Sequence, residues 1–245
     1  MKRIKLTVAY DGTDYCGWQI QPNGITVEEV LNKALSRLTG EDIAVTGASR
    51  TDAGVHAEGN VAVFDTASTI PPGRFSYAVN TLLPEDVVVV KSEEVAADWH
   101  PRYQESVKTY AYHILNCEMP DPVQRKYVWH VNCPLDLEKM RTAAEYLTGE
   151  HDFKSFCSIH TGAKTTVRTI YSMDVERSGE VITIRVSGNG FLYNMVRIIT
   201  GTLVEAGRGF RQPESVKELL DADERGKAGP TAPAQGLLLE SIEYR

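Results

Sequence analysis

The sequence predicts an α+β fold made of two ferredoxin-like halves, and three observations support this prediction. Several short stretches alternate apolar and polar residues, as half-buried strands do. Other stretches repeat apolar residues every three or four positions, as amphipathic helices do. The order strand-helix-strand-strand-helix-strand occurs twice along the 245 residues. We therefore expect two halves, 1–104 and 105–245, whose strands merge into one central antiparallel sheet with helices on one face.

The first half begins with a strand over residues 3–10, where apolar side chains occupy alternate positions. Thr26 and Glu29 have the spacing of a capping box, which predicts that a helix starts here. The helix carries an apolar stripe and should end at Gly40, because glycine tolerates the left-handed conformation common at helix ends.

Two further strands, at 43–47 and 60–66, are expected on either side of a glycine-containing loop. Pro71 then begins a second helix, since proline is favoured in the first turn of a helix. An apolar run at 86–91 supplies the last strand of this half.

The second half repeats the order with strands expected at 108–116, 168–177, 180–187 and 237–244. Asp136 caps its first helix, which should end near Gly149. Ser178 and Gly179 provide the turn between the second and third strands. An apolar helix over 191–206 follows, and Gly207 should stop it.

The net charge, the lengths of the apolar runs and the spacing of cysteines and histidines limit the functions that the protein can have. The formal net charge is −7, from 26 basic and 33 acidic residues, which counts against nucleic acid as a partner unless the basic residues form a local face. No run of about 18 apolar residues and no signal peptide is present, so we expect a cytoplasmic protein without a membrane span. The four cysteines lack the Cys-x-x-Cys spacing of a zinc site, and the histidines lack metal-ligand spacing, so no metal site is expected.

Asp52 lies in the run Gly47-Ala-Ser-Arg-Thr-Asp-Ala-Gly-Val-His-Ala57, which follows a predicted strand. Arg50 is two residues away, and a nearby cation favours the carboxylate form of Asp52. An ionised, positioned aspartate can act as a nucleophile, a base or an electrostatic stabiliser. The alternative is an aspartate that stabilises a turn beside a solvated arginine. His56 at the end of the run is expected to form a structural hydrogen bond.

Three further side chains have two interpretations each. Tyr110 lies on the same strand face as Tyr112, where a tyrosine can either pack the sheet or stack on a base. Arg197 sits among apolar residues of a helix, so its head group either reaches water or meets a buried carboxylate, for which Asp52 is the best candidate. Trp18, in the long polar loop 11–25, either anchors that loop or contacts a ligand.

Four segments of the chain resemble, in order, the signature motifs of the tRNA pseudouridine synthase A family. They are Tyr10-Asp-Gly-Thr-Asp-Tyr-Cys-Gly-Trp-Gln19, the run around Asp52, Lys108-Thr-Tyr-Ala-Tyr112, and Gly188-Asn-Gly-Phe-Leu-Tyr-Asn-Met-Val-Arg197. The resemblance implies the pseudouridine synthase fold and an isomerase that converts uridine to pseudouridine at positions 38 to 40 of the tRNA anticodon stem-loop. It also implies a homodimer and a reaction that needs no cofactor.

The resemblance assigns a role to each candidate residue. Asp52 matches the catalytic nucleophile, and Arg197 matches the arginine that keeps this aspartate ionised and aimed. Tyr110 matches the tyrosine that packs on the target uracil, while Arg50 would contact RNA phosphate or help to extrude the base. Three routes remain open for Asp52: attack on the sugar at C1′, proton removal to give a glycal-like intermediate, and attack on the pyrimidine ring. So do two rival functions, a non-catalytic RNA-binding module and a hydrolase that uses Asp52 as nucleophile.

Overall fold

The computed structural model describes residues 1–158, 164–222 and 224–245. The strands are, in chain order, β1 (Lys2–Tyr10), β2 (Thr46–Gly47), β3 (His56–Thr66), β4 (Val87–Val95), β5 (Ser106–Leu115), β6 (Trp129–His130), β7 (Gly149–Asp152), β8 (Val167–Ser178), β9 (Val181–Gly188) and β10 (Leu237–Tyr244). The α-helices are α1 (Val27–Thr39), α2 (Phe75–Asn80), α3 (Leu137–Glu145), α4 (Met195–Gly207) and α5 (Ser215–Ala222).

The described chain forms two compact units. Unit 1 comprises Met1–Glu105 and Leu239–Arg245, and unit 2 comprises Ser106–Leu238. Each unit contains an antiparallel sheet and helices, which confirms the predicted α+β class. The division into domains at 1–104 and 105–245 stays a prediction. No helix in the described ranges is both long and apolar enough to span a bilayer.

In unit 1 the sheet order brings together the two strands that border the Asp52 segment. The strands run in the order β4, β1, β3, and both β2 and β10 lie beside β3. Strand β1 is antiparallel to both of its neighbours, and β2 pairs through Thr46 with Val63 and through Gly47 with Ala62. The segment 48–55, which connects β2 to β3, therefore leaves and re-enters the sheet at adjacent strands.

Helix α1 forms where the capping signal predicts it. The Thr26 hydroxyl accepts the Glu29 N–H at 3.4 Å, and Gly40 ends the helix in the left-handed conformation with φ of 73°. The Glu29 carboxylate pairs with Lys33 at 2.5 Å, one turn along the helix. The threonine therefore supplies the cap, because it gives a helix N–H the acceptor that the backbone lacks there.

Unit 2 contains a sheet in the order β5, β9, β8, β7, with neighbouring strands antiparallel. The short strand β6 adds to β5 in parallel. Strands β8 and β9 form the predicted hairpin, and Gly179 adopts φ of 59° in its turn, a conformation that glycine adopts without steric cost. Tyr110 lies on β5 opposite Val186 of β9.

Several predicted boundaries were wrong. The strand expected at 43–47 is reduced to Thr46–Gly47, and the helix expected over 191–206 begins only at Met195 and includes Gly207. The helix starts late because Asn194, the residue before it, has a left-handed backbone with φ of 61°, which prevents the helix from extending back through the apolar residues 191–193. The strand β7 and the helix α5 were not predicted.

Candidate active site

The Asp52 segment is held in place by a small buried polar network. The Tyr10 hydroxyl lies 2.8 Å from the Thr51 hydroxyl, and the Thr51 carbonyl accepts the backbone N–H of Trp18 at 3.1 Å. Asn60 on β3 is completely buried and donates to the Ser49 carbonyl at 3.1 Å. Because buried polar groups are costly without partners, these contacts fix the backbone on the N-terminal side of Asp52.

Trp18 anchors the loop 11–25 against this segment. Its side chain is completely buried, and a Cβ atom at Gly47 would lie only 2.2 Å from its indole nitrogen. Gly17, with φ of 82°, brings the loop equally close, since a Cβ there would lie 2.5 Å from the Thr51 carbonyl oxygen. Of its two interpretations, the structure supports Trp18 as a packing anchor, and glycine at both positions permits the close contact.

Asp52 itself is half-buried at the tip of a turn. Its carbonyl accepts the Val55 N–H at 3.1 Å, and Gly54 adopts φ of 78° inside the turn. The neighbouring Thr51 is buried, while Arg50 is exposed. The turn thus places Asp52 at the boundary between the core and the solvent.

His56 has the structural role that was expected. Its side chain is 5% exposed, and its Nδ1 atom accepts the Gly12 N–H at 3.1 Å. The same nitrogen lies 3.1 Å from Oδ1 of Asp11, so the ring contacts two consecutive residues of the loop. The ring therefore joins the loop 11–25 to the start of β3.

In unit 2, Tyr110 lies against an aromatic partner. The side chain is buried, and its ring meets Phe191 edge-to-face at 5.2 Å between centroids, with an interplanar angle of 84°. Tyr112 on the same strand is completely buried, and its hydroxyl donates to the Pro233 carbonyl at 2.7 Å. Burial raises the pKa of Tyr112 above its ordinary value. Tyr112 is therefore a packing residue, in contrast to the role predicted for Tyr110.

Arg197 on α4 is half-buried, and Ala232 and Asn194 both accept hydrogen bonds from its guanidinium. Nε donates to the Ala232 carbonyl at 2.7 Å, and Nη1 donates to Oδ1 of Asn194 at 2.8 Å. The Asn194 amide in turn donates to the Ser158 hydroxyl at 2.9 Å. Within the described ranges Asn194 is also the one non-glycine residue with positive φ. An asparagine in the left-handed conformation thus orients the arginine, a role for Asn194 that the sequence did not indicate.

Of the predicted site residues, Asp52 and Arg50 belong to unit 1, and Tyr110 and Arg197 belong to unit 2. A pairing of Arg197 with Asp52 stays a prediction. The residues that the structure describes contain no group of three or more His, Cys, Asp or Glu side chains placed to hold a metal ion.

The fold and these motifs are those of a known enzyme class. The family model described as tRNA pseudouridine synthase matches residues 6–104 and 143–245, which include Asp52, Arg50 and Arg197. The chain belongs to this family, whose members are isomerases that act on tRNA. Tyr110 lies between the two matched segments.

Curated relatives define the branch of the family that this chain resembles. It is 50% identical over 244 residues to tRNA pseudouridine synthase A of Brevibacillus brevis, with 100% of both chains covered. It is 51% identical over 245 residues to the protein of that name from Ruminiclostridium cellulolyticum, again with 100% of both covered. It is 49% identical to tRNA pseudouridine synthase A 2 of Clostridium perfringens, also over 100% of both chains.

Proposed function

We propose that this protein converts uridine to pseudouridine at positions 38 to 40 of the tRNA anticodon stem-loop, with Asp52 as the catalytic nucleophile. The half-buried Asp52, held on a turn by a buried network inside a family-matched segment, is the observation that carries the proposal. Relatives of about equal length and close to 50% identity carry the name of this activity.

The proposed reaction breaks the N1–C1′ bond of uridine and joins C5 to C1′. In the route through C1′, the Asp52 carboxylate attacks the sugar and uracil leaves with the electron pair on N1. The uracil rotates, C5 attacks C1′, and the carboxylate is released. C5 then loses its proton and N1 gains one, so atoms and electrons balance without an oxidant or a cofactor. A carboxylate is the required form of Asp52, because the neutral acid is a poor nucleophile.

Other side chains support this step in the proposal. Arg197 keeps Asp52 ionised and aimed, since an adjacent cation lowers the pKa of a carboxyl group. Its own orientation is supported by the hydrogen bonds to Asn194 and Ala232. Tyr110 packs on the detached uracil, next to Phe191. Arg50, which is exposed beside Asp52, contacts phosphate or helps to extrude the base from its stack.

Release of tritium from tRNA that contains 5-tritiated uridine tests the proposal, because forming the C5–C1′ bond expels the C5 hydrogen. We expect tritium release while the RNA chain stays intact and no free uracil appears. An RNA-binding module would release no tritium, and a hydrolase would free uracil or cut the chain. Transcripts that carry uridine at just one of the positions 38, 39 and 40 test which nucleotides are modified. Modification of uridines elsewhere in the tRNA would contradict the proposed positions.

We also propose that the enzyme is a homodimer and acts in the cytoplasm, where its tRNA substrates are found. Light scattering coupled to size-exclusion chromatography measures the mass in solution. We expect twice the chain mass of 27.2 kDa. A monomeric mass over the concentration range in which the enzyme is active would contradict the dimer.

A further inference from the structure

A turn at residues 100–103 of unit 1 is fastened to the Asp52 segment. Nε of Arg102 donates at 2.7 Å to the carbonyl of Gly47, the residue directly before that segment. Within the turn, the Tyr103 N–H donates to the His100 carbonyl at 3.1 Å, and the Arg102 N–H donates to Nδ1 of His100 at 3.1 Å. The turn therefore has a defined shape and a fixed position relative to the start of the segment.

An aromatic cluster in unit 1 contacts the same turn. The Tyr244 hydroxyl donates to the Pro101 carbonyl at 3.1 Å, and its ring meets Trp99 edge-to-face at 4.9 Å. The Lys5 ammonium lies 5.6 Å from the Trp99 ring centroid and 5.7 Å from that of Tyr244. Because Lys5 lies on β1 and Tyr244 on β10, these contacts attach the turn to the sheet.

Tyr103 projects from this rigid turn into solvent. The side chain is 83% exposed, and its ring stacks on His100 with centroids 4.1 Å apart and planes within 18° of each other. Stacking on the imidazole holds the tyrosine ring in one orientation while most of its surface remains accessible. A preoriented, exposed aromatic ring is the feature with which proteins bind unpaired bases.

Exposed positive charge accompanies this ring. In the described chain, neither Arg50 nor Arg102 forms an ion pair within 4.0 Å of a carboxylate. Arg102 is exposed as a residue, but its guanidinium is partly buried where it contacts Gly47. This burial lowers the pKa of Arg102, and the positive charge of Arg50 lowers it further. Glu28 opposes this effect, but its carboxylate already accepts the Ile20 N–H at 2.9 Å.

Arg102 is a cation held in place beside Tyr103, because its Nε is hydrogen-bonded to Gly47 and arginine stays protonated in proteins. Guanidinium groups bind phosphate oxygens through charge-assisted hydrogen bonds, and RNA carries a phosphate at each nucleotide.

We propose that Arg102 and Tyr103 form an RNA-binding platform beside the Asp52 segment, in which Arg102 binds a backbone phosphate and Tyr103 stacks on an unpaired base of the same strand. This inference rests on the proposed function, because it identifies how tRNA is held next to Asp52. The ligand class is single-stranded RNA of a loop, since a base inside a helix is not available for stacking.

Equilibrium binding of an unmodified tRNA transcript to the Tyr103→Leu variant tests the stacking contact. We expect the dissociation constant to rise about tenfold, within the range measured for loss of base–aromatic stacking. Tyr103→Phe keeps the ring and should bind within twofold of the unaltered protein. Tyr77→Leu is the matched control, because Tyr77 is another exposed tyrosine of unit 1, at 70% exposure, that also lies near an arginine. Binding by Tyr103→Leu within twofold of the unaltered protein would overturn the stacking contact.

The salt dependence of tRNA binding tests the phosphate contact. Arg102→Gln should reduce the slope of log affinity against log salt by about 0.7 to 0.9, the value for one phosphate. Arg102→Lys keeps the charge but lacks Nε, so it should retain the slope even where the loss of the Gly47 contact lowers affinity. An unchanged slope in Arg102→Gln, or an equal loss of slope in both variants, would overturn the phosphate contact.

Tritium release by the unaltered protein separates this inference from the proposed function. If the protein releases tritium but the Tyr103 and Arg102 variants bind tRNA normally, the platform is wrong and the function stands. If no tritium is released, the function fails whatever the variants do. Tyr77→Leu, which lies outside the platform, should release tritium at the normal rate, and a slower rate would show that loss of any exposed tyrosine of this unit impairs the enzyme.

Discussion

Replacing Asn194 separates the backbone strain at the start of α4 from the positioning of Arg197. Asn194 combines φ of 61° with a side chain that accepts from Arg197 at 2.8 Å and donates to Ser158 at 2.9 Å. Glycine at this position keeps the backbone conformation at no steric cost and removes both contacts. Alanine removes the same contacts and also strains the backbone by about 1 kcal/mol.

The two variants should therefore differ in stability but not in rate. A hydrogen bond to a charged group contributes about 1.5–3 kcal/mol, so both variants should be less stable than the unaltered protein. Asn194→Ala should melt about 2–4 °C below Asn194→Gly, the shift expected from about 1 kcal/mol in a chain of this size.

Single-turnover tritium release on tRNA provides the second readout. Both variants should react at least about tenfold more slowly, because a catalytic group displaced by about 1 Å costs up to a hundredfold. Asn194→Asp is the matched control, since it keeps an acceptor for Arg197 and tolerates the left-handed conformation, and it should be the fastest of the three. A normal rate for Asn194→Gly would show that Asn194 serves only the backbone and would refute the positioning role.

Three further predictions concern the same segments. Gly47→Ala should lower stability by about 1–3 kcal/mol in thermal or denaturant unfolding, because the new methyl group would lie 2.2 Å from the Trp18 indole nitrogen; unchanged stability would contradict this packing. Tyr110→Phe should slow single-turnover tritium release if the hydroxyl serves the reaction. Tyr112→Phe should lower the free energy of unfolding by about 1 kcal/mol and leave the rate unchanged. Equal, small effects of both variants on the rate would remove the Tyr110 hydroxyl from the mechanism. Despite the net charge of −7, tRNA affinity should fall steeply between about 50 and 200 mM salt, and a flat response would exclude a basic binding face.

Local signals in the sequence predicted the elements that carry their own start and stop residues. Helix α1 lies between the Thr26 cap and the Gly40 stop, and the β8–β9 hairpin turns at Gly179, as expected. These predictions succeeded because the determining contacts join residues close in sequence. The strand expected at 43–47 failed for the opposite reason. Its pairing depends on β3, and only Thr46 and Gly47 find partners there.

The candidate site shows the same division between local and long-range information. Asp52 stood out because glycines and an arginine surround it in the sequence. The contact of Arg102 with Gly47 joins residues 55 positions apart, and the strand that supports the turn at 100–103 is the last of the chain. The left-handed backbone of Asn194 was hidden by an apolar pattern that reads as continuous helix. Long-range packing decided each of these features, and no local pattern encodes it.

The central claim is that the Asp52 carboxylate makes or breaks a bond to the substrate, and Asp52→Asn tests it most directly. The amide preserves the size and polarity of a half-buried side chain but loses its charge and its nucleophilicity. We predict that Asp52→Asn releases no tritium from 5-tritiated uridine in tRNA, while its tRNA affinity stays within a few-fold of the unaltered protein. Retention of more than about a tenth of the activity, a loss below about 1.4 kcal/mol of transition-state stabilisation, would contradict the claim.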